Sequence, residues 1–419
     1  MSENFNVKNI ASNLNKSENS FLDNFFKKQF LKKISFLKKG YVKFVIKDET
    51  FHIGDSNDDL KCEFNIKDNA FFTLIATAGL NGAAEAYALG LWDCDNLVKL
   101  IQILIRNQNT MNKLDNGLAA LIKPINKIIH NKRKNTLTGS KKNILAHYDL
   151  SNDFYSLWLD ETMTYSCGIF KDKSTTLKEA SLKKIETLLE NLNVSDNDTI
   201  LEIGTGWAGC AIHAVKKYNC NVVTTTISDS QYDYAKKKIH EHGLSEKITL
   251  LKEDYRNLNG KYDKIISIEM IEAVGHKNIP FYFKKISNLL NDSGLFALQG
   301  ITYNDQKFDS YKNSVDFINK YIFPGACLIS LSQVIEVCKQ HTNLILTDLK
   351  DITPHYATTL SLWRKNFLNQ KKEIIKLGFS DNFIRLWEFY LVYCEAGFLE
   401  KNIGDYQFLF TKKEGLLQQ

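Results

Sequence analysis

The chain contains no apolar run long enough to cross a bilayer. A spanning helix needs roughly 18 to 20 apolar residues, and the longest stretches here, 70–80 and 295–301, stop well short. Residues 1–20 are rich in Asn, Ser, Glu and Lys and lack the apolar segment of a secretory signal, which points to the cytoplasm. The eight cysteines form no C-x-x-C pair and have no His at zinc-ligand spacing, so no metal site is expected and most read as small buried apolar residues. Charge is nearly balanced as well. A net +6 over 419 residues, with much Lys and little Arg, is too weak a bias to imply nucleic acid as a partner.

What is present is apolar material, 44% of the residues beside 24% charged, enough for one large core or two modest ones. The charge is concentrated at the start, where residues 1–50 carry ten lysines against five acids. On a helix, Leu22, Phe25, Phe26, Phe30, Ile34, Phe36 and Leu37 share one broad face and Lys27, Lys28, Lys32, Lys38 and Lys39 lie opposite, with Lys33 interrupting the apolar side. Two readings stay open. The helix packs on its own domain with a solvated Lys face, or it lies on anionic lipid, where each nearby Lys contributes about 1 kcal/mol.

Residues 41–64 alternate apolar and polar like short strands, and 70–108 read as helices broken by Gly79, Gly82 and Gly90, giving a small α+β region. Residues 109–143, with Pro124 and a basic run from His130, turn polar and basic, and the linker is expected near there. From Asp198 strands alternate with helices, the signature of a doubly wound parallel sheet. Strands are expected at 199–203, 221–226, 248–251, 264–268 and 294–301, helices at 208–218, 229–242 and 280–290, and late strands at 344–349 and 406–411.

The first strand of this series runs into Leu201-Glu-Ile-Gly-Thr-Gly-Trp-Ala-Gly209, a G-x-G-x-x-G turn whose glycines let a ligand approach the backbone. A nicotinamide site would need an acid about 20 residues on to hold the ribose. Here that stretch reads Val222-Val-Thr-Thr-Thr-Ile-Ser228, without one. Acids stand instead at Glu202 and at Glu253-Asp254, which suits a ligand with a cationic methionine end. S-adenosyl-L-methionine is therefore favoured over NAD.

Several separate segments then agree in order with one family. They are Gly82-Ala-Ala-Glu-Ala-Tyr87, Trp92-Asp-Cys-Asp95, His147-Tyr-Asp149, Thr164-Tyr-Ser-Cys-Gly168, Glu253-Asp-Tyr-Arg256, Ile322-Phe-Pro-Gly325 and Pro354-His-Tyr-Ala-Thr-Thr-Leu360. From about residue 80 onward the chain resembles the cyclopropane-fatty-acyl-phospholipid synthases and mycolic acid cyclopropane synthases. The resemblance implies an α/β fold, a Rossmann-like class I methyltransferase sheet with inserted helices, preceded by a smaller α+β domain. The implied layout is a lipid- and membrane-associating domain at 1–125, a linker at 126–143 and the methyltransferase domain at 144–419.

By the same resemblance, cofactor contacts fall on Tyr165, Ser166, Gly204, Gly206, Thr226, Ile227, Gln231, Asp254 and Tyr255, beside Glu202 from the motif itself. A bicarbonate ion is implied as the bound base, held by Cys167, Glu272, Ile301 and Tyr356. Gln299 replaces a His that contacts the ion in better-known members and keeps a side-chain donor without a charge. Cys394 matches a family cysteine proposed as catalytic. It, with Trp363, Trp387, Phe389, Tyr390 and Tyr393, reads either as core or as part of an acyl tunnel.

The expected activity is transfer of a methylene group to the cis double bond of unsaturated acyl chains in phospholipids. Alternatives are a methyl-branched product, methylation of a small amine, or a non-catalytic lipid-binding protein. The expected partner is a phospholipid bilayer surface, at the inner face of the membrane, with no nucleic acid and a homodimer left open.

Overall fold

In a computed structural model of the protein, residues 20–108 and 150–412 are described; His147-Tyr-Asp149 and the expected linker lie outside them. The chain divides into two compact units, and the division is not a single cut. The first unit takes the N-terminal residues together with 314–322 and 363–402, and the second takes 150–313, 323–362 and 403–412.

In the first unit, strands β1 (Tyr41–Ile46), β2 (Glu49–Gly54), β3 (Lys61–Ile66) and β4 (Trp92–Cys94) form a sheet in the order β2-β1-β3-β4. Period-two burial turns Val42, Phe44 and Ile46 of β1 and Cys62, Phe64 and Ile66 of β3 inward. The helix Ser20–Ile34 covers that face through Phe30, whose ring meets Phe44, Phe71 and Phe72 edge-on at 5.3–5.7 Å. Ile34 and Leu37 are buried with it. The packed-helix reading therefore accounts for the inner part of the apolar stripe. Phe25 and Phe36 remain 48% and 44% exposed beside the exposed Lys28, Lys32, Lys38 and Lys39, while Lys27 pairs with Glu49 at 2.9 Å.

The helix Ala70–Ala88 bends at Gly79, whose φ of 56° is open to glycine. Gly82 does not break it. Gly82 lies where a Cβ would run into the Leu74 carbonyl, so its small size serves packing.

The helix Asp381–Leu399 belongs to the first unit and is tied into it by charge. The Arg385 guanidinium donates to the carbonyls of Tyr87 (2.5 Å) and Trp92 (2.9 Å) and to the Asp93 carboxylate (2.7 Å), and lies 3.9 Å from the centre of the Tyr87 ring. Glu400 accepts from Gln102 and Arg106, both at 2.8 Å, and Lys320 donates to Glu85 at 2.8 Å.

The second unit is the doubly wound sheet, in the order β10-β11-β9-β8-β5-β6-β7. Its strands are β5 (Thr199–Ile203), β6 (Asn221–Thr225), β7 (Ile248–Leu251), β8 (Tyr262–Ile268), β9 (Leu290–Tyr303), β10 (Leu344–Asp351) and β11 (Ile403–Lys412). β5 to β9 run parallel, and β11 inserts antiparallel between β9 and β10. Side-chain alternation feeds two cores. Leu201, Ile265, Phe296 and Leu298 pack with Phe283 and Phe408 on one face; Ile200, Ile266 and Ala297 pack with Ala211 and Val222 on the other.

A helix over Leu177–Asn191 precedes the sheet. It opens with a capping box, in which the Thr176 hydroxyl accepts from the Glu179 amide and Glu179 accepts from the Thr176 amide. Among the described residues no helix is long and apolar enough to cross a membrane.

Candidate active site

A cavity opens at the carboxyl ends of β5, β6 and β8, where open parallel sheets place their sites. Its floor is the glycine turn. Gly204 and Gly206 adopt φ of 103° and 52°, and the amides of Gly204 and Thr205 both donate to the Thr225 carbonyl. A Cβ on Gly204 would lie 3.2 Å from Met270, while one on Gly206 would meet no protein atom and would point into open space. Gly209 lets the turn approach the 162–168 loop, since a Cβ there would lie 3.0 Å from the Thr162 carbonyl.

All ten residues expected at a cofactor line this one cavity: Tyr165, Ser166, Glu202, Gly204, Gly206, Thr226, Ile227, Gln231, Asp254 and Tyr255. Tyr165 is set by Tyr155 and Trp158, with ring centres 5.4 and 5.5 Å away. The Thr226 hydroxyl donates to Gln231 at 3.0 Å. Asp254 is gripped by Arg256 through two bonds of 2.9 and 2.6 Å, so its carboxylate is already partnered. Glu202 accepts a 2.5 Å bond from Thr224, and burial pushes its carboxyl up to about 7.

A second group of residues gathers around the end of β8. Gln299 is fully buried on β9 and donates its amide to Glu269 Oε1 at 2.8 Å and to Asp405 at 3.3 Å, while its oxygen accepts from Gln407 at 3.0 Å. The Cys167 amide donates to the same Glu269 Oε1 at 2.9 Å, and the Tyr356 hydroxyl donates to Glu269 Oε2 at 2.5 Å. The Ile301 amide donates to Glu272 Oε1 at 2.6 Å.

Five of the six residues expected to be catalytic (Cys167, Glu272, Gln299, Ile301 and Tyr356) thus meet in one cluster. The sixth, Cys394, sits on a helix of the first unit and does not line the cavity. Cys167 contributes through its backbone: burial raises its thiol well above the ordinary range, which disfavours a thiolate.

Four members of the cluster escaped the sequence reading. Glu269 ends β8 with a left-handed φ of 47°, a conformation that costs a non-glycine residue roughly 1 kcal/mol and collects at functional sites. Asp405 and Gln407 lie on β11 directly opposite Ile301 and Gln299 of β9, a pairing no local pattern announces. Lys184 is a buried cation that lines the cavity and donates to the Ser166 hydroxyl at 2.7 Å. Burial pulls its ammonium down, opposed by the Glu269 charge. An acid at the carboxyl end of a parallel strand was the available signal for Glu269. A lysine inside a capped amphipathic helix offered none.

Burial is also the first cause raising Glu272, to about 8, and Asp405, well above the carboxylate range; the charge of Glu269 adds to both. Glu272 Oε2 and Asp405 Oδ1 are buried with no donor, a costly state for a carboxylate and a tolerable one for a neutral acid. Both shifts favour the protonated, neutral acid.

The comparisons with known proteins agree with this geometry. The family model described as mycolic acid cyclopropane synthetase matches residues 135–408. The tuberculostearic acid methyltransferase of Mycobacterium tuberculosis is 34% identical over 347 residues, 81% of this chain and 80% of that protein. The cyclopropane-fatty-acyl-phospholipid synthase of Escherichia coli is 32% identical over 360 residues, covering 85% and 89%. A mycolic acid cyclopropane synthase solved with SAH and CTAB is 31% identical with a TM-score of 0.61, over 65% of this chain and 98% of that one. With a class I methyltransferase sheet, its glycine turn and the buried carboxyl cluster beside it, the chain belongs to the mycolic acid cyclopropane synthetase family.

Proposed function

We propose that the protein binds S-adenosylmethionine in this cavity and transfers its one-carbon unit to the cis double bond of an unsaturated acyl chain in a phospholipid, closing a cyclopropane ring. The observation that carries the reading is the junction of two differently built walls. One is a glycine turn and loop of the kind that holds a nucleoside. The other is a water-poor acid cluster that a cofactor does not need, but that a cation formed on an alkene requires in order to lose a proton.

When bound, S-adenosylmethionine supplies an electrophilic methyl group on a sulfonium sulfur. The chain's own residues do the rest. Gly204 and Gly206 admit the ligand to the backbone, Glu202 faces it with a carboxyl group, and Tyr165 and Ser166 close the cavity from the 162–168 loop. Bicarbonate as the proton acceptor gains no support from this arrangement, because the Cys167, Ile301, Gln299 and Tyr356 donors expected to hold it are already bonded to Glu269 and Glu272.

A methyl-branched product is the second reading, favoured by the 34% identity to a tuberculostearic acid methyltransferase. Both outcomes share the first step; loss of a chain proton in place of one from the transferred carbon leaves a methyl-branched chain that keeps a double bond. Access to the acyl chain is proposed to come through peripheral binding at the inner membrane face, by Phe25, Phe36 and their flanking lysines.

The test is to incubate purified protein with S-adenosylmethionine and vesicles of a cis-monounsaturated phospholipid, then fragment the acyl chains in a mass spectrometer. A gain of one CH2 in a saturated ring is the expected result. Unchanged lipid would refute one-carbon transfer to phospholipid, and a branched chain would establish the second reading.

A further inference from the structure

We propose that Glu269 is the proton acceptor of this reaction, a carboxylate built into the chain where a bound bicarbonate would otherwise stand. The inference rests on the one-carbon transfer reading above.

Position comes first. Glu202, Glu253, Asp254 and Glu269 are the acids lining the cavity. Glu253 is bonded to Asn257 at 2.6 Å and Asp254 to Arg256, both on the side of the cavity formed after β7. Glu202 lies beneath the glycine turn, against Thr224. Glu269 alone among them also belongs to the cluster, and Glu272, the acid expected to hold the base, does not line the cavity.

The donors come second. Glu269 accepts from the Cys167 amide, the Gln299 amide and the Tyr356 hydroxyl at 2.9, 2.8 and 2.5 Å. Three converging donors suit a carboxylate, and they include three of the residues that the resemblance assigns to a bicarbonate ion. The fourth, the Ile301 amide, is spent on Glu272. An added anion would find those four donors already used and would sit beside Glu269, Glu272 and Asp405, with the buried Lys184, already donating to Ser166, as the nearby cation. Bicarbonate does not fit.

Protonation is consistent with this assignment. Burial and the charge of Glu269 raise both Glu272 and Asp405, which favours their neutral forms and limits the charge of the cluster.

The bonds balance without another reagent. The alkene π pair forms a bond to the methyl carbon, and the carbon–sulfur pair leaves on sulfur. The acyl chain then carries one positive charge. A C–H bond of the transferred carbon breaks, its electron pair closes the ring, and the proton passes to a Glu269 oxygen. That cation is so strong an acid that a carboxylate held in position suffices.

The left-handed φ at Glu269 makes Glu269→Gly a gentle change, since glycine is at home there. It removes the carboxylate and leaves three donors facing a vacated space. With S-adenosylmethionine and cis-monounsaturated vesicles in carbon-dioxide-depleted buffer, wild-type turnover should be indifferent to added bicarbonate. Glu269→Gly should lose about a hundredfold or more, and bicarbonate or formate should restore at least about tenfold, as expected for a missing base. Glu269→Gln, which keeps the shape, should be equally slow and resist rescue, with S-adenosylmethionine affinity in calorimetry nearly unchanged.

A second readout needs no turnover. Infrared difference spectra with carbon-13 bicarbonate should show the ion bound to Glu269→Gly and not to wild type. Wild-type protein that binds or requires bicarbonate, or a Glu269→Gln variant that keeps its rate, would overturn the proposal. Absence of any lipid product from wild type would instead remove the transfer reading, and the infrared result would still decide whether the carboxylate holds the anion's place.

Discussion

The two walls of the cavity hold their polar groups in opposite ways. At the glycine turn the backbone itself faces the cavity, through two glycines with positive φ and a third whose Cβ would crowd the Thr162 carbonyl. Around β8 side chains do most of the holding: Gln299 bonds to three neighbours, and Glu269 accepts from two side chains and the Cys167 amide. The difference teaches what each wall is for. A turn that presents little but backbone is made to receive something that comes and goes, and a network of bonded polar groups is made to keep a charge in one place.

The sharpest way to break that contrast is Gly204→Val. A branched Cβ at φ 103° meets Met270 and strains the turn, so S-adenosylmethionine affinity should fall by about two orders of magnitude or more, measured by calorimetry on protein whose circular dichroism shows it folded. Undiminished affinity would mean the turn is not the receiving wall.

Tyr356→Phe probes the other side. It deletes one charge-assisted bond on Glu269, worth about 1.5–3 kcal/mol, and turnover should drop about tenfold or more while cofactor affinity holds. If affinity fell in step with turnover, the walls would not be separable.

Glu272→Gln should act on stability. Burial holds the folded Glu272 near 8, above the ordinary carboxylate value, so its proton stabilises the fold fully below that ordinary value. The contribution is lost as pH rises through about 8. Wild-type Tm should therefore decline from mildly acidic to mildly alkaline pH more steeply than that of Glu272→Gln. Parallel curves would show that Glu272 does not carry the buried proton.

The smallest effect is expected far from both walls. Changing Lys28, Lys32, Lys38 and Lys39 to Gln should weaken sedimentation with anionic vesicles several-fold, and salt should weaken the wild type in the same direction, without altering cofactor affinity. Equal sedimentation would leave the exposed Phe25 and Phe36 as ordinary surface.

How much could be read in advance follows the same division. The turn from Leu201 to Gly209 is nine consecutive residues, and strands β5 to β8 lie within two residues of where alternation puts them, because short-range pattern determines both. The base cluster draws on Cys167, Lys184, Glu269, Gln299, Tyr356 and Asp405, which come from a loop, two helices and the ends of β8, β9 and β11 and meet only in the folded chain. Resemblance found five expected members without that register, and it missed Glu269, whose place had been reserved for an ion. The interrupted first unit was equally hidden. Nothing near Arg385 announces that its partner is Tyr87, 298 residues earlier.

That separation has a consequence for how the molecule is made. A chain emerging from the ribosome at roughly 5–20 residues per second presents the first unit's sheet long before the rest of that unit. The helix that anchors it, Asp381–Leu399, follows only after nearly the whole second unit has been synthesised. β11 comes later still, and it fills the gap between β9 and β10. Neither unit can close early, and the carboxyl cluster gains Asp405 among its last events. Such high contact order predicts slow, late folding and a nascent chain that depends on protection from aggregation while its first sheet waits.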